Sequence, residues 1–213
     1  MNILVIAAHP DDEVLGMGGT IKKLTKKDHK VALCVVSEGA TAQYDDKKMI
    51  EVRQNSCIKA GKILGITNFE FLGFPDMKLD SVSHLELNKS LEKIIKKYKP
   101  TIVFTPSHDL NKDHQIVFES TLVVTRPFKS SVKQIFSYEI PGSSKSPFSP
   151  NYFENISKEY SFKIKAFKKY KSEIESFPHP RSFEFLESLS KMRGVESGLS
   201  RAEAFQIIKF ISN

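Results

Sequence analysis

A histidine and three acids stand together in "HPDDE" (His9, Asp11, Asp12, Glu13), and the same residue types gather again in "HDLNKDH", which ends at His114. His9 and Asp12 are three apart across a proline-constrained turn, so both side chains can point at one place while Asp11 flanks them. With His114 as a third ligand, two imidazole nitrogens and one carboxylate oxygen make a set suited to zinc. Such a set leaves a position open for water, as catalytic rather than structural sites do. That chemistry is hydrolysis: zinc lowers the pKa of its bound water to about 7. A carboxylate beside that water and off the metal, Asp11 by this spacing, can take its proton and pass it to a leaving amine. Capping and the helix dipole would also favour Asp-Asp-Glu at a helix start, so spacing alone leaves both explanations open.

The elements that must position these residues follow from the apolar patterning. Runs of strand length at 2–8, 30–37, 68–73, 101–105 and 132–140 alternate with "GGTIKKLTKK", "KKMIEVRQNSCIKAGKILG" and "LELNKSLEKIIKKY", whose apolar residues recur at helical intervals. Gly65 reads as a helix C-cap. This is the pattern of βαβ units. The expected fold is α/β, a Rossmann-like three-layer sandwich with a mostly parallel central sheet, in one domain spanning 1–213. The turn-rich stretch 141–151 is expected to be a loop, followed by additional C-terminal helices near 159–175, 182–194 and 201–211. The last is suggested by the capping-box spacing of Ser200 and Glu203. In open α/β sheets ligands bind at the carboxyl ends of the strands. The opening motif leaves the first strand there and "PSHDLNKDH" leaves the fourth, so two distant loops should face one crevice.

Composition narrows the function classes. An apolar fraction of 40% and a charged fraction of 27% are those of a globular protein, and no apolar run is long enough to cross a bilayer. The start "MNILVIAAHP" reads as a strand rather than a leader peptide, which points to a cytoplasmic protein. Two cysteines, Cys34 and Cys57, are too few for a Cys-based zinc site and read as buried thiols. The net charge of +7 comes from lysines interleaved with apolar residues, as on solvated helix faces, so nucleic acid is not an expected partner.

"AAHPDDEVLGMGGTI" together with "DLNKDH" resembles the LmbE-like, or PIG-L, zinc-dependent N-deacetylases, whose hallmark is an Ala-His-Pro-Asp-Asp-Glu block after the first strand and a later Asp-His pair. "VVTRP" and the "RSFEFLE", "RG" and "AEAF" tail also look like one bacterial branch of that family. The resemblance implies that His9, Asp12 and His114 bind Zn2+ or another divalent transition metal, that Asp11 is the general base, and that Asp113 supports the catalytic groups. Glu13 matches the end of the block, where a helix-start and supporting role is implied.

One position departs from the pattern: where well-known members carry a histidine three before the last ligand, this chain has Asn111. An amide can donate to an oxyanion but cannot shuttle a proton, so proton delivery would fall to Asp11, His108 or His179. Arg53 resembles an arginine near the substrate in the family. Asp76, at the end of the third strand, faces the same edge, and the "PHPRS" segment with His179 and Arg181 could form a rigid substrate wall.

The expected activity is removal of an acetyl group from an N-acetyl amino sugar or its nucleotide, lipid or glycoside conjugate, with self-association into a homo-oligomer left open. Two alternatives compete with it, a nucleotide-binding Rossmann-like protein suggested by "GMGGT" after the first strand, and a noncatalytic sugar-binding descendant of the deacetylases.

Overall fold

The computed structural model describes residues 1–143 and 148–212. Strands β1 (Asn2–Ala7), β2 (Lys30–Ser37), β3 (Asn68–Phe74), β4 (Ile102–Pro106) and β5 (Gln134–Tyr138) are parallel. Among the described residues the sheet has seven strands in the order β3-β2-β1-β4-β5-β7-β6. Here β6 is Tyr152–Asn155, and β7, Ala202–Phe210, runs antiparallel to both of its neighbours. The central strands read as unbroken apolar runs because helices cover both faces.

On one face Ile3, Val5 and Ala7 pack with Val14, Cys57, Phe167 and Leu186. These come from α1 (Asp12–Lys26), α2 (Lys48–Leu64), α5 (Tyr160–Phe167) and α6 (Phe183–Ser197). On the other face Leu4, Ile6 and Ala8 meet Leu87, Leu91, Val117 and Val124 of α3 (His84–Tyr98) and α4 (Lys112–Val124). Each fully buried Val, Leu or Ile of these two layers contributes roughly 1.5–3 kcal/mol. Gly65 ends α2 in the left-handed conformation (φ 95°), the C-cap its position predicts.

The structure corrects the expected last helix. Residues 202–210 form β7, whose ladders to β5 and β6 bury Ala202, Ala204 and Phe205. Tertiary pairing on both sides overrides a local capping signal. Glu203 makes no capping box: its carboxylate accepts the N–H groups of Gly19 and Thr20 at 3.0 and 2.7 Å. Strand β6 and helix α4 carried no clear signal in the sequence. The expected helix 159–175 is shorter, ending at Phe167 before a series of turns that carries Tyr170 and Glu173 inward. Of the expected loop 141–151, residues 144–147 lie outside the described residues. Cys34 and Cys57 are both buried free thiols. No helix among the described residues is long and apolar enough to cross a membrane.

Candidate active site

Strand order reverses between β1 and β4: the chain steps from β1 to β2 to β3 and then returns to the other side of β1. The crevice at such a switch point is where open α/β sheets bind ligands. His9 leaves β1 there, and the 107–114 segment leaves β4 beside it. Asp11 sits at the turn into α1 with φ 127°, a positive value that an aspartate adopts only under constraint from its surroundings. Part of that constraint is visible: its peptide N–H donates to Glu13 Oε2 at 3.1 Å, and its carbonyl accepts from Val14 and Leu15.

Candidate ligand atoms of His9, Asp12 and His114 all lie within 4.8 Å of one another, and all three residues are buried. Asp12 lies between the rings, with Oδ2 3.5 Å from His9 Nδ1 and Oδ1 3.5 Å from His114 Nε2. The far side of each ring is held by a carboxylate. Asp113 and Asp76 face His9 Nε2 at 3.3 and 3.4 Å, and Asp109 takes the Nδ1 proton of His114 at 2.8 Å. His114 Nε2 is buried and without a hydrogen-bond partner, and in the neutral ring whose Nδ1 donates to Asp109 it carries the lone pair.

A buried acceptor with nothing to accept is what a metal site shows when its ring is oriented from behind. His9, Asp76 and Asp113 also bring ligand atoms within 4.8 Å of one another. Both oxygens of Asp113 accept backbone N–H groups, those of Met77 and Leu79 at 2.8 and 3.1 Å, and Asp76 accepts that of Ala42 at 3.2 Å, whereas Asp12 accepts one, from His9 at 2.8 Å, and keeps its other oxygen free. The donor set with a free lone pair is His9, Asp12 and His114, and it fits a divalent ion.

The electrostatics point the same way. Burial disfavours a charged His9, yet hydrogen bonds to Asp113 and Asp12 and the charges of Asp12 and Asp76 outweigh it and push its pKa up to about 10. His114 is raised as well: burial again opposes, and the charge of Asp12 with the Asp109 hydrogen bond prevails. Asp12 is held well below the usual carboxylate range, because the two histidines overcome the cost of its burial. The pocket thus calls for positive charge, which protonated imidazoles or a divalent cation can supply.

Asp11 has no exposed surface, and burial holds its pKa above the usual carboxylate range despite the opposing charges of Arg181 and Arg53. Their Nη2 atoms stand 3.3 and 3.5 Å from its Oδ2, ion-pair distances without hydrogen-bond geometry. Both arginines also reach Glu173 Oε2, at 3.0 and 3.3 Å. Glu13 is raised to about 8 by burial, although the Tyr170 hydroxyl donates to it.

A cavity of about 180 Å³ opens above the floor formed by His9, Asp12 and His114. Its wall comes from Asn111, the 140–143 segment and His179 to Arg181. The two loops touch through Gly142 (φ 81°), where a Cβ would stand 2.5 Å from Pro180 Cγ. Asn111 caps α4, its Oδ1 accepting the N–H groups of Asp113 and His114 at 2.9 and 3.3 Å, while its Nδ2 faces Met77 Sδ at 3.6 Å. His179 Nδ1 accepts the Arg181 N–H at 3.1 Å, which leaves the ring proton on Nε2.

The other sequence candidates lie elsewhere. Asp76 stands behind His9. Arg53 is buried beneath Asp11, where it also donates to the Pro10 and Gly39 carbonyls. His108 is exposed and faces Glu119 at 3.4 Å, outside the cavity. Asp109, Tyr170 and Glu173 were not singled out from the sequence. For Asp109 a signal existed, a fourth titratable group inside "HDLNKDH". For Tyr170 and Glu173 there was none, because only packing of the C-terminal region on α1 and α2 brings them to Glu13 and Arg53. The glycines of "GMGGT" lie inside α1, where Gly16 and Gly19 make room for Tyr138 and Ile156, so they form no phosphate-binding loop at the strand end.

Residues 4–125 match the family model described as GlcNAc-PI de-N-acetylase, PIG-L. An uncharacterized deacetylase, YaiS, of Escherichia coli (strain K12) is 34% identical over 80% of this chain and 90% of its own length. A probable N-acetyl-alpha-D-glucosaminyl L-malate deacetylase 2 of Bacillus cereus is 26% identical over 82% of this chain and 84% of its own. Among solved structures, N,N'-diacetylchitobiose deacetylase from Pyrococcus horikoshii superposes with a TM-score of 0.81 at 26% identity, covering 97% of this chain and 83% of that one.

Proposed function

Because the chain belongs to the PIG-L family of de-N-acetylases, we propose that it hydrolyses the acetamide of an N-acetylated amino sugar or sugar conjugate, releasing acetate and a free amine. The observation that carries this is the convergence of His9, Asp12 and His114, with a free lone pair on His114 Nε2, beside the buried carboxylate of Asp11. The descriptions of relatives as deacetylases of N-acetylglucosaminyl malate and of diacetylchitobiose support the substrate class.

His9, Asp12 and His114 would hold zinc or another divalent transition metal. Bound there, the ion would supply Lewis acidity and lower the pKa of a water toward about 7. Asp109, Asp113 and Asp76 orient the two rings from behind. Asp11 takes the proton of the attacking water and returns it to the amine nitrogen as the C–N bond breaks. Its tight turn, fixed by Glu13 and Tyr170, sets the direction of the carboxylate. Asn111 Nδ2, which faces Met77 Sδ, would be the donor to the negative charge that develops on the acetyl oxygen. Its Oδ1 is occupied by the α4 cap, so the amide cannot flip without losing that cap. His179 and Arg181 line the cavity beside it.

The test is metal analysis of the purified protein together with acetate release from a panel of N-acetyl sugars, free, nucleotide-linked, lipid-linked and glycosidic. The expected result is about one divalent ion per chain and acetate from at least one conjugate, with both lost in His114→Ala. Full turnover by His114→Ala would sink the assignment.

A further inference from the structure

Asp11 lies between two guanidiniums and is hydrogen-bonded to neither. Arg181 Nη2 and Arg53 Nη2 stand 3.3 and 3.5 Å from its Oδ2, yet both of its oxygens are buried and have no hydrogen-bond partner among the described residues. An arginine this close to a buried carboxylate ordinarily closes into a short, often bidentate pair. Something therefore holds the two cations back. Arg53 is held by backbone: its guanidinium donates to the Pro10 carbonyl at 2.8 Å and to the Gly39 carbonyl. The Arg181 guanidinium is held by Glu173, to whose Oε2 its Nη1 donates at 3.0 Å.

Glu173 is itself fixed. It is 2% exposed, its Oε1 accepts the Ser172 and Tyr44 hydroxyls at 2.8 and 3.2 Å, and its Oε2 also faces Arg53 Nη2 at 3.3 Å. Two carboxylates and two guanidiniums thus form a neutral quartet, in which the buried charges balance without a closed pair on Asp11. Resting on the de-N-acetylase reading above, we propose that Glu173 is a positioning residue for the base. By competing with Asp11 for Arg181, it keeps that cation at ion-pair distance but out of hydrogen-bond geometry. The Asp11 charge stays compensated while its oxygens remain available to the attacking water. A carboxylate whose lone pairs were taken by a guanidinium would have to break those charge-assisted bonds before it could accept a proton.

The experiment is a double-mutant cycle on acetate release by metal-loaded wild type, Glu173→Gln, Arg181→Gln and the double variant. The substrates are the panel above, with N-acetylglucosamine and N,N'-diacetylchitobiose among the free sugars. Glutamine keeps the shape of Glu173 and removes its charge, which frees Arg181 to close on Asp11. Glu173→Gln is expected to lower kcat by about tenfold or more, with KM changed less than kcat and metal content unchanged. A crystal structure of this variant should show Arg181 hydrogen-bonded to Asp11 at about 2.7–2.9 Å. In the Arg181→Gln background the same change at position 173 should cost less than about threefold, because the cation that would close is gone. Glu173→Asp, which keeps the charge, should recover part of the kcat lost in Glu173→Gln. Equal loss in both backgrounds, or full kcat in Glu173→Gln, overturns the role of Glu173 while leaving de-N-acetylation standing. If the melting temperature shows that Glu173→Gln does not fold, Glu173→Asp with and without Arg181→Gln decides by the same criterion. Absence of acetate from every member of the panel with wild type defeats the de-N-acetylase reading itself, and this proposal with it.

Discussion

Two clusters of buried charge lie on α1, one at each end of its buried stretch, and they are built on opposite terms. Lys163 and Glu203, each 4% exposed, satisfy one another and the backbone. The ammonium donates to Leu15 O and Glu203 at 2.8 and 2.7 Å, and the carboxylate also receives the Gly19 and Thr20 N–H groups. At the other end, both Asp11 oxygens, His114 Nε2 and Arg53 Nε have no hydrogen-bond partner, and the Asp11 backbone sits at a positive φ. A satisfied cluster fixes structure, whereas an unsatisfied, strained one holds free energy in reserve for a ligand. The difference separates structural from functional polarity more sharply than burial does, since both clusters are equally buried.

Substitutions at the two ends should separate the same way. Asp11→Asn should lower turnover by about 10³-fold, within the range of a lost general base, while metal content stays the same and urea stability moves by less than about 1 kcal/mol. Equal turnover in this variant and wild type would break the comparison at its functional end. Glu203→Ala should do the reverse. Stranding the Lys163 ammonium costs about 3–5 kcal/mol in urea unfolding, with acetate release per folded molecule unchanged. A drop in turnover without a drop in stability would show the clusters to be of one kind.

Smaller effects sharpen the division within the site. Asn111→Ser preserves an α4 cap of similar worth but deletes the Nδ2 donor, so stability should hold while kcat falls by about 10²-fold. Unchanged kcat would restrict Asn111 to capping. Asp109→Asn should weaken metal binding by about 10- to 100-fold, as loss of an outer partner does, measured by competition with a chelator. An affinity equal to wild type would mean that His114 is oriented by its own packing.

Much of the fold was legible because parallel strands buried on both faces must be apolar throughout and the helices covering them amphipathic. The expected strands ending at 8, 37, 73, 105 and 140 lie within two residues of the observed ends, and the second coincides with it. The segment 202–210 misled because Ser200 and Glu203 have capping spacing, yet the segment's partners, β5 and β6, lie far away in the chain. Arg53 showed the same limit. Its resemblance to a substrate-side arginine suggested a substrate contact, and only the approach of α2 to the Asp11 turn puts it underneath that carboxylate.

The sequence alone determined which chemistry the chain can bring to the ends of its strands: imidazoles and carboxylates at the junctions after β1 and β4, on a fold whose pattern sends both junctions to one edge. Tertiary structure decided how those groups divide their tasks. It set Asp109 behind His114 and Asp113 behind His9, left one lone pair free, and laid Arg181 across Asp11. Periodicity and turn chemistry act over a few residues and are written locally. The choice between ligand, orienting group and cover depends on separations of a few ångströms between segments up to 170 residues apart, which only the packed core sets.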